Sequence, residues 1–197
     1  TRTWTRLSHN SVTASENSRM GGRRPARKVE VSRSKDCWRG SFFAMGSPCE
    51  LLSEAASRGD AKELTTIVAK EAWRIEDHFS RYLTGNIVDR INSAGGAEVD
   101  VDDETARLLD FATQLHTMSD GRFDISSGVL RQVWVFDGSD NIPSADSVSA
   151  VLQHVGWHRA TWKDGSLTMP PGMEVDFGGI GKEYAVDCSA SLLRAAG

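Results

Sequence analysis

Apolar residues recur every three or four positions in three long stretches of the chain, and this spacing predicts amphipathic helices. The clearest helix covers residues 60–79, with Asp60 as its cap. The second covers residues 103–118 behind Asp102. The third is opened by the Pro-Ser pair at 143–144 and stops at Gly156. Their inward faces are predicted to contain Leu64, Val68, Ala72, Ile75 and Phe79, then Leu108, Leu109, Ala112 and Leu115, then Val148, Val151, Leu152 and Val155.

Shorter apolar segments between these helices predict strands. Residues 42–52 form the first, interrupted at Gly46 and Pro48, and residues 157–169 predict a hairpin. Residues 129–136 are apolar and fit either a helix or a strand. Because helices and strands follow one another without a regular β-α alternation, the pattern favours an α+β fold over a doubly wound sheet.

Residues 173–188 combine a strand, a glycine turn and the start of a helix. Val175 and Phe177 fall on one face of the predicted strand, and three glycines follow within residues 178–181. Such a turn exposes backbone N–H groups that can bind an anion, and Lys182 adds a positive charge beside them. The segment is therefore a candidate anion site, and the alternative is a tight strand-to-helix turn with a solvated lysine.

Two familiar phosphate-binding loops do not fit this segment. A P-loop requires glycine at the position of Asp176 and Ser or Thr at the position of Glu183. A dinucleotide-binding fingerprint that starts at Gly179 requires glycine at the position of Tyr184. The segment therefore matches neither of these loops.

Composition and charge divide the chain. Hydrophobic residues make up 39% of it, with six Trp and seven Phe, which is enough for a folded core. Residues 1–40 carry a net charge of +7, and the remainder carries −11. We predict a flexible basic arm over residues 1–36, since they show no sustained period, and ordered structure from Cys37. The acidic body argues against nucleic acid as a partner, and nothing in the sequence indicates membrane association.

The cysteines and histidines show no pattern typical of a metal site. Cys37, Cys49 and Cys188 form no C-x-x-C pair, so neither a disulfide framework nor a zinc site is predicted. The five histidines lack paired spacing, and we interpret them as structural or solvent-facing.

Four sequence blocks, in the same order, resemble the FAD:protein FMN transferase (ApbE) family. The signature block is 176–187, Asp-Phe-Gly-Gly-Ile-Gly-Lys-Glu-Tyr-Ala-Val-Asp, and the others are 44–47, 76–82 and 120–125. The resemblance implies an α+β flavin transferase fold, a mixed sheet with packed helices, over residues 37–197. It also implies a domain incomplete at its C-terminus, because the family pattern continues to an Asp and a Thr of the metal site. Many family members are exported lipoproteins, but residues 1–36 contain neither a signal-peptide core nor a lipobox cysteine, so the compartment stays unassigned.

The resemblance implies protein flavinylation: Mg²⁺-dependent transfer of FMN from FAD to a Ser or Thr hydroxyl of an acceptor flavoprotein, with release of AMP. FAD, Mg²⁺ and the acceptor would be the partners, and charge on the phosphoryl oxygens would need a cation and fixed donors. Without the Asp and Thr, we expect no transfer by these residues alone. The alternative is an FAD-binding module without transferase activity, truncated or degenerate. A third hypothesis is a scaffold whose basic arm binds a membrane or nucleic acid.

The resemblance also implies the site residues. Its cofactor-binding positions fall on Met45, Tyr82, Arg122, Phe123, Asp124, Asp176 and Lys182. The backbone carbonyl of Gly179 falls where the family offers a ligand to the metal, and no catalytic residue is assigned. The alternatives are a core methionine at Met45 and a surface-packed ring at Tyr82. Glu183 departs from the glycine that many members have there, but Glu suits the first turn of a helix.

Overall fold

The computed structural model describes residues 3–7, 26–134 and 140–196, which divide into two compact units. The first unit comprises residues 3–7, 26–77 and 180–196, and the second comprises residues 78–134 and 140–179. Each unit combines helices with a small antiparallel sheet, so the predicted α+β class is confirmed. None of the helices in the described ranges has the length and apolar character that a membrane span requires.

The first unit is built on a four-stranded antiparallel sheet. Its strands are β1 (Thr3–Leu7), β2 (Glu30–Ser34), β3 (Cys37–Ala44) and β4 (Ser47–Ser53), in the order β1-β4-β3-β2. Two helices complete the unit: α1 (Arg58–Phe79) and α5 (Gly181–Ala195). The first unit includes α1 only up to Asp77, and the last two residues of this helix belong to the second unit. Pro48 does not interrupt the sheet as predicted, because it lies within β4 opposite Phe43.

The core of the first unit lies between its sheet and its helices. Burial alternates along β4, as expected of a half-buried strand, and α1 contributes the apolar face predicted from its periodicity. The core residues are Phe42, Ala44, Cys49, Leu51, Val68, Ala69, Ala72 and Leu193. Gly40 is needed where β3 meets α1, because a Cβ there would lie 1.9 Å from the Thr65 Oγ1.

The predicted cap of α1 was wrong by three residues. The Ser57 hydroxyl accepts a hydrogen bond from the Asp60 N–H at 3.1 Å, and the Asp60 carboxylate accepts one from the Ser57 N–H at 3.0 Å. This reciprocal pair is a capping box, in which the upstream serine is the cap and the carboxylate is its partner.

The flexible arm predicted over residues 1–36 requires a correction. β1 and β2 both lie within that range and pair antiparallel with β4 and β3. The Arg27 guanidinium, just before β2, donates to both Asp77 carboxylate oxygens at 2.5 and 2.8 Å. Hydrophobic periodicity missed β2 because this edge strand has mostly exposed residues, and its pairing comes from the backbone. Residues 8–25 lie outside the described residues.

The second unit packs three helices with a three-stranded sheet. The helices are α2 (Ile87–Asn92), α3 (Asp103–Met118) and α4 (Ala145–Leu152), and the strands are β5 (Val99–Asp100), β6 (Thr161–Lys163) and β7 (Ser166–Thr168), in the order β5-β7-β6. Short 3₁₀ turns cover Gly128–Gln132, Trp157–Arg159 and Phe177–Gly179. The predicted helix 103–118 and its Asp102 cap are confirmed, since the carboxylate accepts from the N–H groups of Glu104 and Thr105.

Two predictions for the second unit were wrong. The predicted inward face of α4 was wrong for Leu152, which is exposed, while Val148 and Val151 are half-buried and no residue of the helix is fully buried. Residues 173–177 form no strand beyond one parallel bridge between Ser127 and Glu174. The Asn92 side chain takes the place of a strand neighbour there, since it accepts from the Val175 N–H at 2.7 Å and donates to the Val175 carbonyl at 3.0 Å.

Candidate functional site

In the first unit, Met45 lies at the tip of the β3–β4 hairpin in a left-handed conformation. Its φ is +51° and that of Gly46 is +70°, so both central residues of the two-residue turn have positive φ. This geometry favours Asn-Gly, and the left-handed conformation costs an L-residue roughly 1–2 kcal/mol. The Met45 N–H donates to the Glu76 carboxylate at 2.8 Å, and this bond from α1 fixes the turn.

Lys182 lies in the first turn of α5 and lines a crevice of the first unit together with Met45. Its other lining residues include Ser47, Cys49, Val186 and Ser189. No carboxylate within the described residues forms an ion pair with the Lys182 ammonium. Burial raises the pKa of the Cys49 thiol to about 11, so the thiol is neutral at pH 7. The crevice therefore presents one cation at a helix N-terminus and a thioether beside it.

In the second unit, Arg81 joins two of the predicted cofactor positions. Its guanidinium donates to the Asp176 carboxylate at 2.7 Å and to the Tyr82 hydroxyl at 3.0 Å, and it lies 5.0 Å from the Tyr82 ring centre. The Tyr82 side chain is nevertheless 75% exposed, so its ring is available for stacking. Sequence reasoning missed Arg81, although it stands next to Tyr82 in one of the four blocks and Asp176 required a counter-charge.

Both oxygens of the Asp176 carboxylate accept hydrogen bonds from groups of the same unit. One oxygen accepts from Arg81, and the other accepts from the Gly178 N–H at 2.9 Å, which fixes the start of the glycine turn. Gly128 allows this approach, because a Cβ there would lie 2.8 Å from the Asp176 Cβ. Asp176 therefore shapes the turn, and its predicted contact with the cofactor stays a prediction.

The predicted loop residues 122–124 have three different environments. Phe123 packs on the glycine turn, since a Cβ on Gly179 would lie 3.0 Å from the Phe123 ring. The Arg122 side chain is exposed. The Asp124 carboxylate accepts from the Ser126 N–H at 2.8 Å, the Ser126 hydroxyl at 2.6 Å and the Trp157 N–H at 2.9 Å, so it holds the loop together. Asp124 therefore has a structural role in the loop, and its contact with the cofactor stays a prediction.

Gly179, whose carbonyl is the predicted metal ligand, is an exposed residue of the 3₁₀ turn Phe177–Gly179. In the part of the chain that the structure describes, one group of three side chains has ligand atoms within 4.8 Å of one another: His78, Asp102 and Glu104. The Asp102 oxygens in this group already cap α3 and accept from the Thr105 hydroxyl at 2.9 Å. Mg²⁺ takes about six oxygen ligands, so the Gly179 carbonyl would be one part of a magnesium site.

A sequence profile of the ApbE family matches residues 45–197, from the hairpin methionine through the glycine turn and α5. The chain belongs to the ApbE family. The FAD:protein FMN transferase of Chlamydia muridarum is 29% identical to it over 127 residues, which are 60% of this chain and 40% of that relative.

Two solved ApbE structures share its fold. The ApbE protein of Thermotoga maritima superposes with a TM-score of 0.69 at 26% identity, over 78% of this chain and 51% of its own. The apo form of the Pseudomonas stutzeri flavinyl transferase ApbE gives 0.67 at 25% identity, over 87% of this chain and 54% of its own. The chain therefore spans about half the length of the ApbE proteins it matches.

Proposed function

We propose that this chain is the FAD-binding part of a Mg²⁺-dependent FAD:protein FMN transferase that flavinylates a Ser or Thr hydroxyl of an acceptor flavoprotein. The observation that carries the proposal is the crevice of the first unit, where Met45 and Lys182 lie together although they are far apart in the sequence. Both positions were assigned to the cofactor on the four sequence blocks alone. The relative from Chlamydia muridarum, an FAD:protein FMN transferase, supports the same activity.

The first turn of α5, whose Lys182 lines the crevice, suits the pyrophosphate of a dinucleotide. Lys182 brings a positive charge without an ion-pair partner among the described residues, and the N-terminus of α5 adds a partial positive charge. The Met45 thioether offers a polarisable apolar contact of the kind that aromatic rings favour. In the second unit, taken by itself, the exposed Tyr82 ring suits stacking on a planar base or flavin.

In the proposed reaction the acceptor oxygen attacks the FMN phosphorus and loses its proton, while the bond to the AMP oxygen breaks and AMP leaves. Bound Mg²⁺ would offset the charge on the phosphoryl oxygens, with the Gly179 carbonyl as one ligand. Lys182 would orient the pyrophosphate by its charge. No general base is assigned to the described residues.

Calorimetric titration of the chain with FAD, FMN and AMP tests the binding step. We expect FAD to bind more tightly than either half, because the predicted positions suit a dinucleotide. Lys182→Ala should weaken FAD binding about tenfold, the equivalent of about 1.4 kcal/mol. The exposed Lys70, on α1, provides a matched control whose alanine variant should bind FAD as the unchanged chain does. Equal or tighter binding of FMN would contradict the proposal.

In-gel flavin fluorescence of a denatured acceptor tests the transfer step, because it detects only covalently attached FMN. The acceptor is incubated with a chain that also carries the Asp and Thr of the family pattern, since residues 1–197 alone are not expected to transfer FMN. Labelling that requires Mg²⁺ and disappears with EDTA supports the transferase. FAD binding with no labelling under any metal condition instead supports the FAD-binding module. Failure to bind FAD at all would contradict both functions.

A further inference from the structure

The Ala44–Ser47 turn breaks a local rule at a predicted cofactor position. A two-residue hairpin with positive φ at both central positions favours Asn or Gly at the first of them, and this chain has Met45 there with φ of +51°. Conformations that a sequence does not favour locally persist where surrounding structure holds them, and they cluster at functional sites. A group of this chain must therefore hold Met45 in this conformation.

The Glu76 carboxylate is that group. It accepts from the Met45 N–H at 2.8 Å, and its side chain is only 25% exposed. In a turn of this kind the first central N–H has no partner within the hairpin, so a carboxylate that accepts from it satisfies an otherwise orphan donor. The bond joins α1 to a hairpin tip that is 31 residues earlier in the sequence.

Two further residues restrain Glu76 and the hairpin: Arg27, which precedes β2, and Trp73, which lies one turn before Glu76 on α1. The Arg27 guanidinium lies 3.9 Å from the second Glu76 oxygen and is itself fixed by its two bonds to Asp77. The Trp73 indole N–H donates to the Phe43 carbonyl at 2.8 Å, two residues before Met45. The end of α1 thus holds the β3–β4 hairpin at two points, one at the strained residue and one just before it.

We propose that Glu76 is a positioning residue that holds Met45 in its left-handed conformation and so keeps the thioether in the crevice beside Lys182. The role of the thioether in cofactor binding rests on the proposed function. The hold on the backbone does not, and it can be measured without any ligand.

The test is amide hydrogen exchange of Ala44 and Ser47, the strand pair that closes the turn, together with FAD affinity, in a cycle of four chains. These are the unchanged chain, Glu76→Ala, Met45→Asn and the double variant. Met45→Asn creates an Asn-Gly pair, which favours this turn by itself. We expect Glu76→Ala to speed exchange at the turn about tenfold in the otherwise unchanged chain. In the chain that carries Met45→Asn, the same change should alter exchange less than twofold.

FAD affinity should follow a matching pattern. Glu76→Ala should weaken binding about tenfold, Met45→Asn should weaken it similarly, and the double variant should be no weaker than Met45→Asn alone. Glu76→Gln keeps an oxygen acceptor, so it should retain most of the exchange protection. Glu63 is exposed on the same helix, and Glu63→Ala should change neither readout.

The outcomes separate the two proposals. If the unchanged chain binds no FAD, the proposed function fails, and the exchange cycle still decides the role of Glu76. If a folded Glu76→Ala chain exchanges at Ala44 and Ser47 as slowly as the unchanged chain, the positioning role is wrong. Equal acceleration with and without Met45→Asn would also overturn it, because the effect would then not depend on the strain at Met45. Circular dichroism of each variant establishes that the chain is folded.

Discussion

The two units hold their predicted cofactor residues by different means. In the first unit, Met45 is held through its backbone by a bond to Glu76, and its half-buried side chain packs against the core and lines the crevice. In the second unit, Tyr82 and Asp176 are held through their side chains by Arg81, and the carboxylate is already neutralised. We therefore expect substitutions at the first unit's site to reduce affinity first and those at the second unit's site to reduce stability first.

The largest expected effect concerns how far the first unit depends on its N-terminal residues. Deletion of residues 1–36 removes β1, β2 and Arg27. With about 0.5–1.5 kcal/mol for each hydrogen bond lost, we expect the free energy of unfolding to fall by at least about 3 kcal/mol. For a chain of this size that corresponds to a fall in Tm of roughly 6–12 °C, measurable by scanning calorimetry.

Deletion of residues 1–25 is the matched control for this experiment. It retains β2 and the bonds between Arg27 and Asp77, so it should cost less than the longer deletion. Equal Tm values for the longer deletion and the full chain would show that the first unit does not need its edge strand.

The next effect tests the side-chain anchor of the second unit. Arg81→Ala leaves the Asp176 carboxylate without its counter-charge. Loss of one partner of a buried ion pair costs about 3–5 kcal/mol, and we expect about 2–3 kcal/mol here because the two side chains are 18% and 25% exposed. Urea unfolding measures the loss. Arg81→Lys keeps the charge but not the planar fork, so it should lose less. A loss below about 0.5 kcal/mol for Arg81→Ala would remove the contrast between the units.

What the sequence predicted well is local. The helix at 103–118 and its Asp102 cap depend on spacing and on one side chain, and both were correct. Val175 and Phe177 were predicted to share one face of a strand, and both side chains are buried although the segment is not a strand. Local periodicity indicates which side chains face the core. It does not indicate which group forms hydrogen bonds with the backbone of the segment.

What the sequence could not supply is the pairing of residues far apart. The bond of Arg81 to Asp176 and the bond of Glu76 to Met45 both join residues from separate blocks. β2 was missed for the same reason, since an edge strand with few buried residues is stabilised by its neighbour. The blocks predicted the site residues, and the structure shows which groups hold those residues in place.

A smaller effect tests whether Asp176 is held by close packing against Gly128 as well as by its ion pair with Arg81. Gly128→Ala places a Cβ 2.8 Å from the Asp176 Cβ and 3.3 Å from the Glu174 carbonyl. Overpacking of this kind costs about 1–3 kcal/mol, and the displaced carboxylate should also lose part of its bond to Arg81. Urea unfolding is again the measurement, and a double variant with Arg81→Ala should be less destabilised than the sum of the two changes.

Gly59 in the first unit is the matched control for this glycine substitution. It lies in the first turn of α1, and a Cβ there would meet only the Ser57 hydroxyl oxygen at 3.4 Å. Gly59→Ala should therefore be neutral or stabilise the chain by up to about 1 kcal/mol. Destabilisation by both substitutions to the same extent would mean that Gly128 has no special relation to Asp176.

The smallest expected effect is the acid dependence of the second unit through Asp102. Burial opposes ionisation of this carboxyl, but hydrogen bonds from the Thr105 N–H and hydroxyl and the nearby His78 outweigh it, so its pKa lies below the ordinary value of 3.8. Because the folded pKa is depressed, the ionised carboxylate stabilises the fold above pH 3.8, and this contribution is lost as the pH falls through the lower, folded pKa. Asp102→Ala should cost about 1 kcal/mol at pH 6, which is typical of a lost cap. Thermal unfolding at pH 6 and pH 3 measures the change, with the neighbouring Asp103→Asn as the control that should shift Tm less. If the cost of Asp102→Ala is as large at the lowest pH at which the chain still folds as it is at pH 6, then the uncharged cap carries the stability and the ionised carboxylate does not.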